Sequence, residues 1–323
     1  MTEAATSSQR LLVVSGGLSH ERDVSLRSGR RVTGALRRHG LETEERDVGP
    51  DLVRALRDDP PSCVLPLLHG EAGEDGALRE VLELVGVPYV GARPAACRLA
   101  FDKSVAKVVV AQAGLQTPAS VALPAETFRE VGAAIVMDTL VERLGLPLVV
   151  KPARGGSALG CSVVRARNEL PAAMVGCFSY GPVALVEQFV AGAEVAVAVI
   201  EDGPSARTLP AVEIRPDSGI YDYMARYTAG ATEFVVPAEV SDDAGAACAY
   251  AALTAHRALG LRDLSRSDLV VDADGTVWFL EVNVAPGMTE TSLVPLAVEA
   301  AGLDLGTVCA GLVARAIARG AER

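Results

Sequence analysis

The chain has 323 residues, of which 50% are hydrophobic and 22% charged, so it has the composition of a globular protein and not of a disordered one. This length leaves room for two or three domains and a sizeable core. Its net charge of −11 argues against nucleic acid as a general partner, because phosphate backbones bind basic surfaces.

The N-terminal ten residues are polar and lack the apolar region of a signal peptide. No apolar run approaches the ~20 residues needed to span a bilayer. The six cysteines are scattered without a C-x-x-C pair, a pattern typical of buried thiols in a reducing compartment. We therefore expect a cytoplasmic protein without a membrane partner.

Strands alternate with helices over the first hundred residues. The sequence predicts strands at 11–15, 63–68 and from residue 88, and helices at 25–39 and 78–85. This alternation favours an α/β domain with a parallel sheet. Ligands bind such sheets outside the carboxyl ends of the strands, where Glu21 and His69 lie. A single His or Glu in a loop is more often a solvated side chain, so each of these two residues by itself is a weak indication.

The composition changes after about residue 97. A helix is predicted at 103–113, residues 126–143 are rich in helix formers, and a strand at 146–151 ends at Pro152. The glycine-rich loop at 154–160 and a second strand from Cys161 follow, which indicates a hairpin whose backbone N–H groups can cradle an anion. It is not a P-loop, because Cys161 stands where the lysine belongs and no helix follows. The alternative is a tight hairpin without a ligand.

Two further strands are predicted at 183–190 and 194–200. Glu187 and Glu194 lie where these strands meet loops, as either solvated residues or contacts to a ribose and an adenine. Residues 215–236 are aromatic and polar without clean periodicity, which predicts a long loop that acts as a lid. Residues 296–318 are predicted to form one closing amphipathic helix.

Asp274-Gly275 is a strong signal for a β-hairpin with a two-residue turn. That turn would place Asp268 opposite Glu281 and Arg266 opposite Asn283, all on one face. The other face would carry core residues, namely Leu269, Val271, Trp278, Leu280 and Val282. Two opposed carboxylates repel, so a positive group should lie between them. With an asparagine they make the oxygen donor set that Mg²⁺ prefers, although an ordinary solvated face is the alternative.

Seven motifs occur in the order typical of one known family. They are GGLSHERDVSLRSG (16–29), LHGEAGEDG (68–76), FDKSVAK (101–107), KPARGGSALG (151–160), YDYMARY (221–227), RSD (266–268) and EVNVAPGMTETSL (281–293). With them the chain resembles the D-alanine–D-alanine ligase family of the ATP-grasp superfamily, from Gly16 to about Ala316.

The resemblance implies an α/β ATP-grasp fold of three α/β domains with ATP between the last two. The implied ranges are an N-terminal Rossmann-like substrate domain at 1–97, a central subdomain at 98–190, and a C-terminal subdomain with metal site and lid at 191–323.

The same resemblance assigns roles to individual residues. Glu21 would bind the ammonium of the first D-alanine, with Ser157 and Tyr227 completing a hydrogen-bonded triad, while Arg266 and the backbone of Gly287 would stabilise the tetrahedral intermediate. The expected substrate contacts are His69, Ser292 and Leu293. The expected nucleotide contacts are Lys103, Lys151, Gly155, Gly156, Glu187, Glu194 and Arg226. The expected ligands of Mg²⁺ (or Mn²⁺) are Asp268, Glu281 and Asn283.

The implied activity is ATP-dependent joining of two D-alanines through an acyl phosphate, for peptidoglycan precursor synthesis, by a cytoplasmic homodimer. Several positions depart from the family pattern. Arg226 replaces a lysine, Gly155 and Ala158 replace polar residues, and Val284-Ala285 replaces Thr-Ser. Ser265 and Ser267 flank Arg266 where glycine and isoleucine are more typical. Two alternatives therefore remain. One is a ligase paralogue that acts on other amino acids, and the other is a non-catalytic nucleotide-binding homologue.

Overall fold

Three β-sheets with helices packed on them make up the protein, whose structure is a computed structural model. The structure describes residues 9–203, 205–228 and 230–321. The mixture of helices and strands along the chain confirms the predicted α/β class.

The N-terminal sheet has three parallel strands in the order β2-β1-β3, as the alternation of elements predicted. Its elements are β1 (Leu11–Ser15), α1 (Arg22–Arg38), β2 (Thr43–Asp47), α2 (Leu52–Asp58), β3 (Cys63–Pro66), α3 (Glu71–Glu74) and α4 (Ala77–Val85). Every residue of β1 is buried, since helices cover both faces of the sheet. The strand predicted from residue 88 is only a single bridge between Val64 and Tyr89.

The central sheet is antiparallel, in the order β4-β7-β5-β6. Two helices precede it, α5 (Pro94–Phe101) and α6 (Lys103–Gln112). Its own elements are β4 (Ser120–Pro124), α7 (Ala125–Val131), α8 (Ala133–Leu144), β5 (Leu148–Pro152), β6 (Ser162–Val164), α9 (Leu170–Phe178) and β7 (Val183–Gln188). The segment 126–143, rich in helix formers, is helical, and Gly132 with a φ of 101° divides it into α7 and α8.

The C-terminal sheet is antiparallel, in the order β11-β10-β8-β12-β13, with β9 paired to β8. Its elements are β8 (Ala193–Ile200), β9 (Arg207–Thr208), β10 (Val212–Pro216), α10 (Tyr223–Tyr227), β11 (Thr232–Val235), α11 (Asp242–Ala258), β12 (Leu264–Val271), β13 (Val277–Asn283), α12 (Leu293–Ala300) and α13 (Leu305–Ala321). The prediction of one closing helix is wrong. Gly302, with a φ of 67°, ends the first helix, and Asp304 accepts the N–H of Thr307 as the second begins.

Each sheet lies within one of the predicted ranges, 1–97, 98–190 and 191–323. The cores cross those ranges, however. Helices α5 and α6 pack on the C-terminal sheet together with α11, and the predicted boundary at 97/98 falls inside α5. The opposite face of the C-terminal sheet shares one core with β1, α1, α12 and α13. The N-terminal and C-terminal sheets are thus joined through packed apolar side chains.

No single helix among the described residues is long and apolar enough to cross a membrane. One pair of helices among the described residues, α12 and α13, passes the test together on length and composition alone. That pair is bent by 105°.

Candidate active site

A pocket lies between the central sheet and the C-terminal sheet, and we call it the inter-sheet pocket. Apolar side chains from both sheets form its walls, among them Val149, Val163, Val195 and Val270. Nine residues predicted from the sequence also line it: Lys103, Lys151, Gly155, Gly156, Glu187, Glu194, Arg226, Asp268 and Glu281. An apolar slot beside a cluster of charged groups suits a ligand with a flat ring and a polyanionic tail.

A second pocket, which we call the adjoining pocket, opens beside it, and residues of α1 and of the segment after β3 form part of its lining. It contains a further eight of the predicted residues: Glu21, His69, Ser157, Arg266, Asn283, Gly287, Ser292 and Leu293. The two pockets share Gly156, Tyr221 and Arg226, so they meet. Tyr227 belongs to α10 by its backbone, while its side chain lies outside the described residues.

The predicted hairpin exists as β12 and β13. Asp268 pairs with Glu281 and Arg266 with Asn283, as predicted. The predicted two-residue turn is wrong, because Asp272 and Thr276 pair across a three-residue turn in which Gly275 has a φ of 81°. The longer turn shifts the pairing of the two strands by one residue. A β-bulge after Asp268 shifts it back, so Asp268 and Glu281 pair as predicted.

The bulge changes which residues of β13 face the core. Leu269, Val271 and Val282 are buried as predicted. Phe279 takes the core position instead of its neighbours Trp278 and Leu280. Leu280 faces the inter-sheet pocket, and Trp278 donates its indole N–H to Asp272 over 2.8 Å.

The two opposed carboxylates are held by cations. Arg266 donates two hydrogen bonds to Asp268, at 2.7 and 2.8 Å, and Lys103 lies 3.3 Å from Glu281. Burial alone would raise the pKa of Glu281, but Lys103 and the other nearby cations lower it to about 2. Glu281 is therefore anionic at neutral pH, and the positive charge expected between the strands comes from Arg266 and Lys103.

Lys151 faces a buried glutamate. Its Nζ lies 2.5 Å from one carboxyl oxygen of Glu187, and the Nζ of Lys107 lies 2.8 Å from the other. Burial would lower the pKa of Lys151, but Glu187 and Glu281 raise it above its usual value. The ammonium of Lys151 is therefore charged where it lines the pocket.

The glycine-rich loop joins β5 to β6, as the sequence predicted for a hairpin. Gly155, Ser157, Ala158 and Gly160 all have positive φ, a tight conformation that L-residues rarely adopt. The carbonyl of Gly155 accepts a 2.6 Å hydrogen bond from Lys103. Ser157 donates a short hydrogen bond to Glu21 of the N-terminal region. The loop thus lies over both pockets.

His69 supports the loop that carries Gly287. Its Nδ1 donates to the carbonyl of Ala285 over 2.9 Å, and its Nε2 accepts from Ser28, which in turn accepts the N–H of Met288. Burial lowers the pKa of His69 to about 4, so the ring is neutral at pH 7. A Cβ added to Gly287 would lie 2.7 Å from the hydroxyl of Ser292, so a larger residue would displace that hydroxyl.

The 215–236 segment is not the structureless loop that the sequence predicted. It consists of the helix α10 between the paired strands β10 and β11, with Ile214 opposite Phe234. From it Arg226 reaches the junction of the two pockets, its guanidinium 4.1 Å from the centre of the Tyr221 ring.

A family model described as D-ala D-ala ligase C-terminus matches residues 109–314. The chain is 39% identical to the D-alanine–D-alanine ligase of Bordetella petrii, over 94% of this chain and 91% of that protein. It is 40% identical to the ligase of the same name from Gloeobacter violaceus, over 95% and 99%. The chain belongs to the D-alanine–D-alanine ligase family.

Two solved structures share the fold of this family member. VanG D-Ala:D-Ser ligase from Enterococcus faecalis has a TM-score of 0.81 at 27% identity, over 96% of this chain and 99% of that chain. D-alanine–D-alanine ligase from Bacillus anthracis, complexed with ATP, has a TM-score of 0.81 at 27% identity, over 98% and 99%. The predicted ATP-grasp fold is therefore confirmed.

Sequence reasoning missed Glu74, another acidic residue of the ligase site. Its side chain is buried in the adjoining pocket and accepts the N–H of Gly70 over 3.0 Å. Burial and the neighbouring Glu21 raise the pKa of Glu74 to about 8, so it is mostly protonated at pH 7. The motif at 68–76 holds several acidic residues, and no local signal tells which one points inward.

Proposed function

We propose that the protein is an ATP-dependent, ADP-forming D-alanine–D-alanine ligase that makes a peptidoglycan precursor. The observation that carries the proposal is the junction of the two pockets at Gly156 and Arg226, where an ATP phosphate and a substrate carboxylate can meet. The matching relatives over nearly the whole chain support the same reaction.

The inter-sheet pocket would hold ATP. Its apolar walls suit the adenine ring, and Glu187 and Glu194 lie at the strand ends where adenine and ribose contacts are expected. Lys103, Lys151 and Arg226 would neutralise the phosphates, covered by the 155–160 loop. The Bacillus anthracis relative, solved in complex with ATP, supports ATP as the nucleotide.

The adjoining pocket would hold the two amino acids. Glu21, fixed by Ser157, would bind the first ammonium, with Tyr227 as the third member of the triad. Arg266 and the N–H of Gly287 would face the developing oxyanion. Ser292 and Leu293 would contact the second substrate at the other end of this pocket, with His69 supporting the loop between.

The chemistry requires position and charge more than a reactive side chain. The carboxylate of one D-alanine attacks the γ-phosphorus of ATP, giving an acyl phosphate and ADP. The amine of the second D-alanine then attacks the acyl carbon, and phosphate leaves as the amide forms. The cations around the junction stabilise these anionic groups, and α10 shields the acyl phosphate from water.

The residues present fit a magnesium ion. Among the described residues, no three His, Cys, Asp or Glu side chains are grouped to hold a metal, so Asp268 and Glu281 would rely on Asn283 for a third oxygen. Two carboxyl groups and an amide supply hard oxygen donors of the kind that Mg²⁺ or Mn²⁺ prefers. Such an ion would neutralise charge on the ATP phosphates when bound.

Asp268→Asn tests the metal assignment. Removing one anionic ligand should lower turnover about 100-fold at fixed Mg²⁺ and raise the Mg²⁺ concentration needed for half-maximal rate. Asp274→Asn, the same change at the exposed tip of the same hairpin, is the matched control and should leave both quantities unchanged. Unchanged turnover in Asp268→Asn would show that the metal lies elsewhere.

The proposed reaction is tested by ADP release measured with a panel of D- and L-amino acids, singly and in pairs. We expect release with D-alanine alone and D-alanyl-D-alanine as the product. No release with D-alanine, together with a response to another pair, would contradict the proposal.

A second candidate is a ligase paralogue with different amino-acid substrates. The structural likeness to a D-Ala:D-Ser ligase favours it, as does Ala285, which lines the adjoining pocket where the family has a polar residue. The panel separates the two, because D-serine or another second substrate would then be preferred. The third hypothesis, a non-catalytic nucleotide-binding homologue, predicts no ADP release with any pair.

We also propose a cytoplasmic homodimer, in line with the family resemblance. All six cysteines, which lie within the described residues, are unpaired. That arrangement agrees with a reducing compartment. Analytical ultracentrifugation at micromolar concentration tests the dimer, and a single species with the mass of one chain would contradict it.

A further inference from the structure

Lysine is rare in this chain, and all of it lies at one place. Of the 30 lysines and arginines, only residues 103, 107 and 151 are lysine, which leaves 27 arginines. Lys103 and Lys151 line the inter-sheet pocket. Lys107 does not line that pocket, and the proposed reaction gives it no part. Its presence beside the other two lysines therefore requires a separate explanation.

Lys107 lies behind Glu187 as seen from the pocket. Its side chain is 4% exposed, and that of Glu187 is 2% exposed. The carboxylate of Glu187 is held between two ammonium groups, with one oxygen 2.8 Å from Lys107 and the other 2.5 Å from Lys151. A compact ammonium suits this position, whereas the planar fork of an arginine needs more room and more hydrogen-bond acceptors.

The net charge of this group decides what the pocket presents to a ligand. Glu187 with Lys151 alone would be a neutral pair, with little charge left for an anion. Burial lowers the pKa of Lys107, and the adjacent Glu187 carboxylate opposes that shift. With Lys107 protonated, the three residues carry a net charge of about +1, and charges act strongly in a buried site. Burial alone would raise the pKa of Glu187, but Lys151 and Lys107 lower it, so the carboxylate stays ionised.

We propose that Lys107 is a positioning residue that neutralises Glu187 from behind and so leaves the charge of Lys151 available to nucleotide phosphates. The inference rests on the proposed function, since its ligand is the nucleotide, and it adds a residue that touches neither substrate nor metal. A purely structural Lys107 would instead support the whole pocket equally, the adenosine part included.

The test compares ADP with adenosine, which lacks phosphates, by calorimetry on the native protein and on Lys107→Met. We expect the dissociation constant of ADP to rise about 10-fold, as for loss of one partly screened charge, and that of adenosine to change less than about twofold. Arg98→Met removes one charge at the exposed Glu80 pair and should change neither constant.

The double variant Lys107→Met/Glu187→Gln provides a rescue. It removes both charges and returns the group to a net charge of about +1 on Lys151. We expect the ratio of the adenosine to the ADP dissociation constant to return towards the native value, even where loss of a Glu187 contact weakens both ligands. A ratio that stays low in the double variant would overturn the inference.

Equal weakening of ADP and adenosine in Lys107→Met, or no weakening of either, would also overturn it. Should Lys107→Met fail to fold, ¹³Cε-lysine NMR on the native protein decides the question, because only three side chains give signals. Lys103→Arg and Lys151→Arg assign those signals. A protonated Lys107 at pH 7 supports the inference, and a neutral amine there overturns it.

Different results would contradict the proposed function and the inference about Lys107. Absence of ADP release with D-alanine, with ADP binding still dependent on Lys107, would remove the proposed substrate and support this inference. ADP release with D-alanine, with no effect of Lys107 on ADP binding, would remove this inference alone.

Discussion

Arg226 stands at the junction of the two pockets, where the family usually has a lysine. Its guanidinium stacks on Tyr221 at 4.1 Å, and its Nε donates to the Tyr221 carbonyl over 3.3 Å. Arg226→Lys keeps the charge but loses the planar stack, so we expect kcat/KM for ATP to fall roughly fivefold, equivalent to ~1 kcal/mol. Steady-state ADP release measures the change.

Tyr221 provides the control for this stack. Tyr221→Phe keeps the ring and should have little effect, whereas Tyr221→Leu should resemble Arg226→Lys. In the Tyr221→Leu background, Arg226→Lys should then lower kcat/KM for ATP only slightly further, because the stacking interaction is already lost. An equal decrease in kcat/KM on Arg226→Lys in the native and the Tyr221→Leu backgrounds would show that the ring does not position the guanidinium.

Glu74 links pH to stability. Its pKa rises from an ordinary value of 4.5 to about 8 on folding, chiefly through burial. Between these pH values the unfolded chain loses the proton and the folded protein keeps it, so increasing pH favours unfolding. The contribution of Glu74 is therefore full below pH 4.5 and is lost as the pH rises to about 8, by up to ~1.4 kcal/mol per pH unit.

Glu74→Gln removes this titration while keeping an acceptor for the N–H of Gly70. The native free energy of unfolding, relative to that of the variant, should decline from about pH 5 to about pH 8 and then level off. Urea denaturation of both proteins over that range measures the difference. Parallel pH profiles would show that Glu74 is ionised in the folded protein.

At the scale of the element, the hairpin tip depends on one glycine. Gly275 has a φ of 81°, and a Cβ there would meet nothing within 4 Å, so Gly275→Ala tests backbone conformation alone. We expect a loss of about 1 kcal/mol in the free energy of unfolding, measured by urea denaturation, with no change in KM.

Gly176 gives a contrast of opposite sign. It lies within α9, its φ is not positive, and a Cβ added there would likewise meet nothing within 4 Å. Gly176→Ala should stabilise the protein by about 0.5–1 kcal/mol through helix propensity. Destabilisation of both variants by the same amount would show that the left-handed conformation at Gly275 is not the cause.

The same hairpin shows what local sequence patterns can predict. The Asp-Gly signal correctly placed a turn, and the pairing of Asp268 with Glu281 was correct. The exact turn and the bulge after Asp268 were not predictable, because each shifts the register by one residue and no residue type marks a bulge. The two shifts cancel beyond the bulge, where Asp268 and Glu281 lie. Between the turn and the bulge the pairing stays offset by one residue, so Trp278 and Leu280 do not take their predicted core positions.

At the scale of the molecule, Asp263 joins three parts of the chain. Its fully buried carboxylate accepts the N–H of Gly91 over 2.7 Å and two hydrogen bonds from Arg319 of α13, at 2.7 and 2.6 Å. Its φ of 66° is tolerated by asparagine, so Asp263→Asn tests charge and not backbone. We expect a loss of about 3 kcal/mol in the free energy of unfolding.

The matched control is Asp202→Asn, which breaks the ion pair with the more exposed Arg207. It should cost less than about 1 kcal/mol, since water screens such pairs. Thermal or urea denaturation measures both variants. Equal losses in the free energy of unfolding would mean that the Asp263 cluster stabilises the protein no more than an ion pair at the surface does.

The sequence by itself determined the family, the α/β class and the chemical types at the site, because these depend on residue identity, motif order and local periodicity. Only the tertiary structure decided which of those residues meet. Ser157 and Glu21 are 136 residues apart, and packing of the three sheets brings them into contact. The same packing turns Lys107 towards Glu187 and Glu74 into the adjoining pocket, since side-chain burial depends on distant elements that no local pattern specifies.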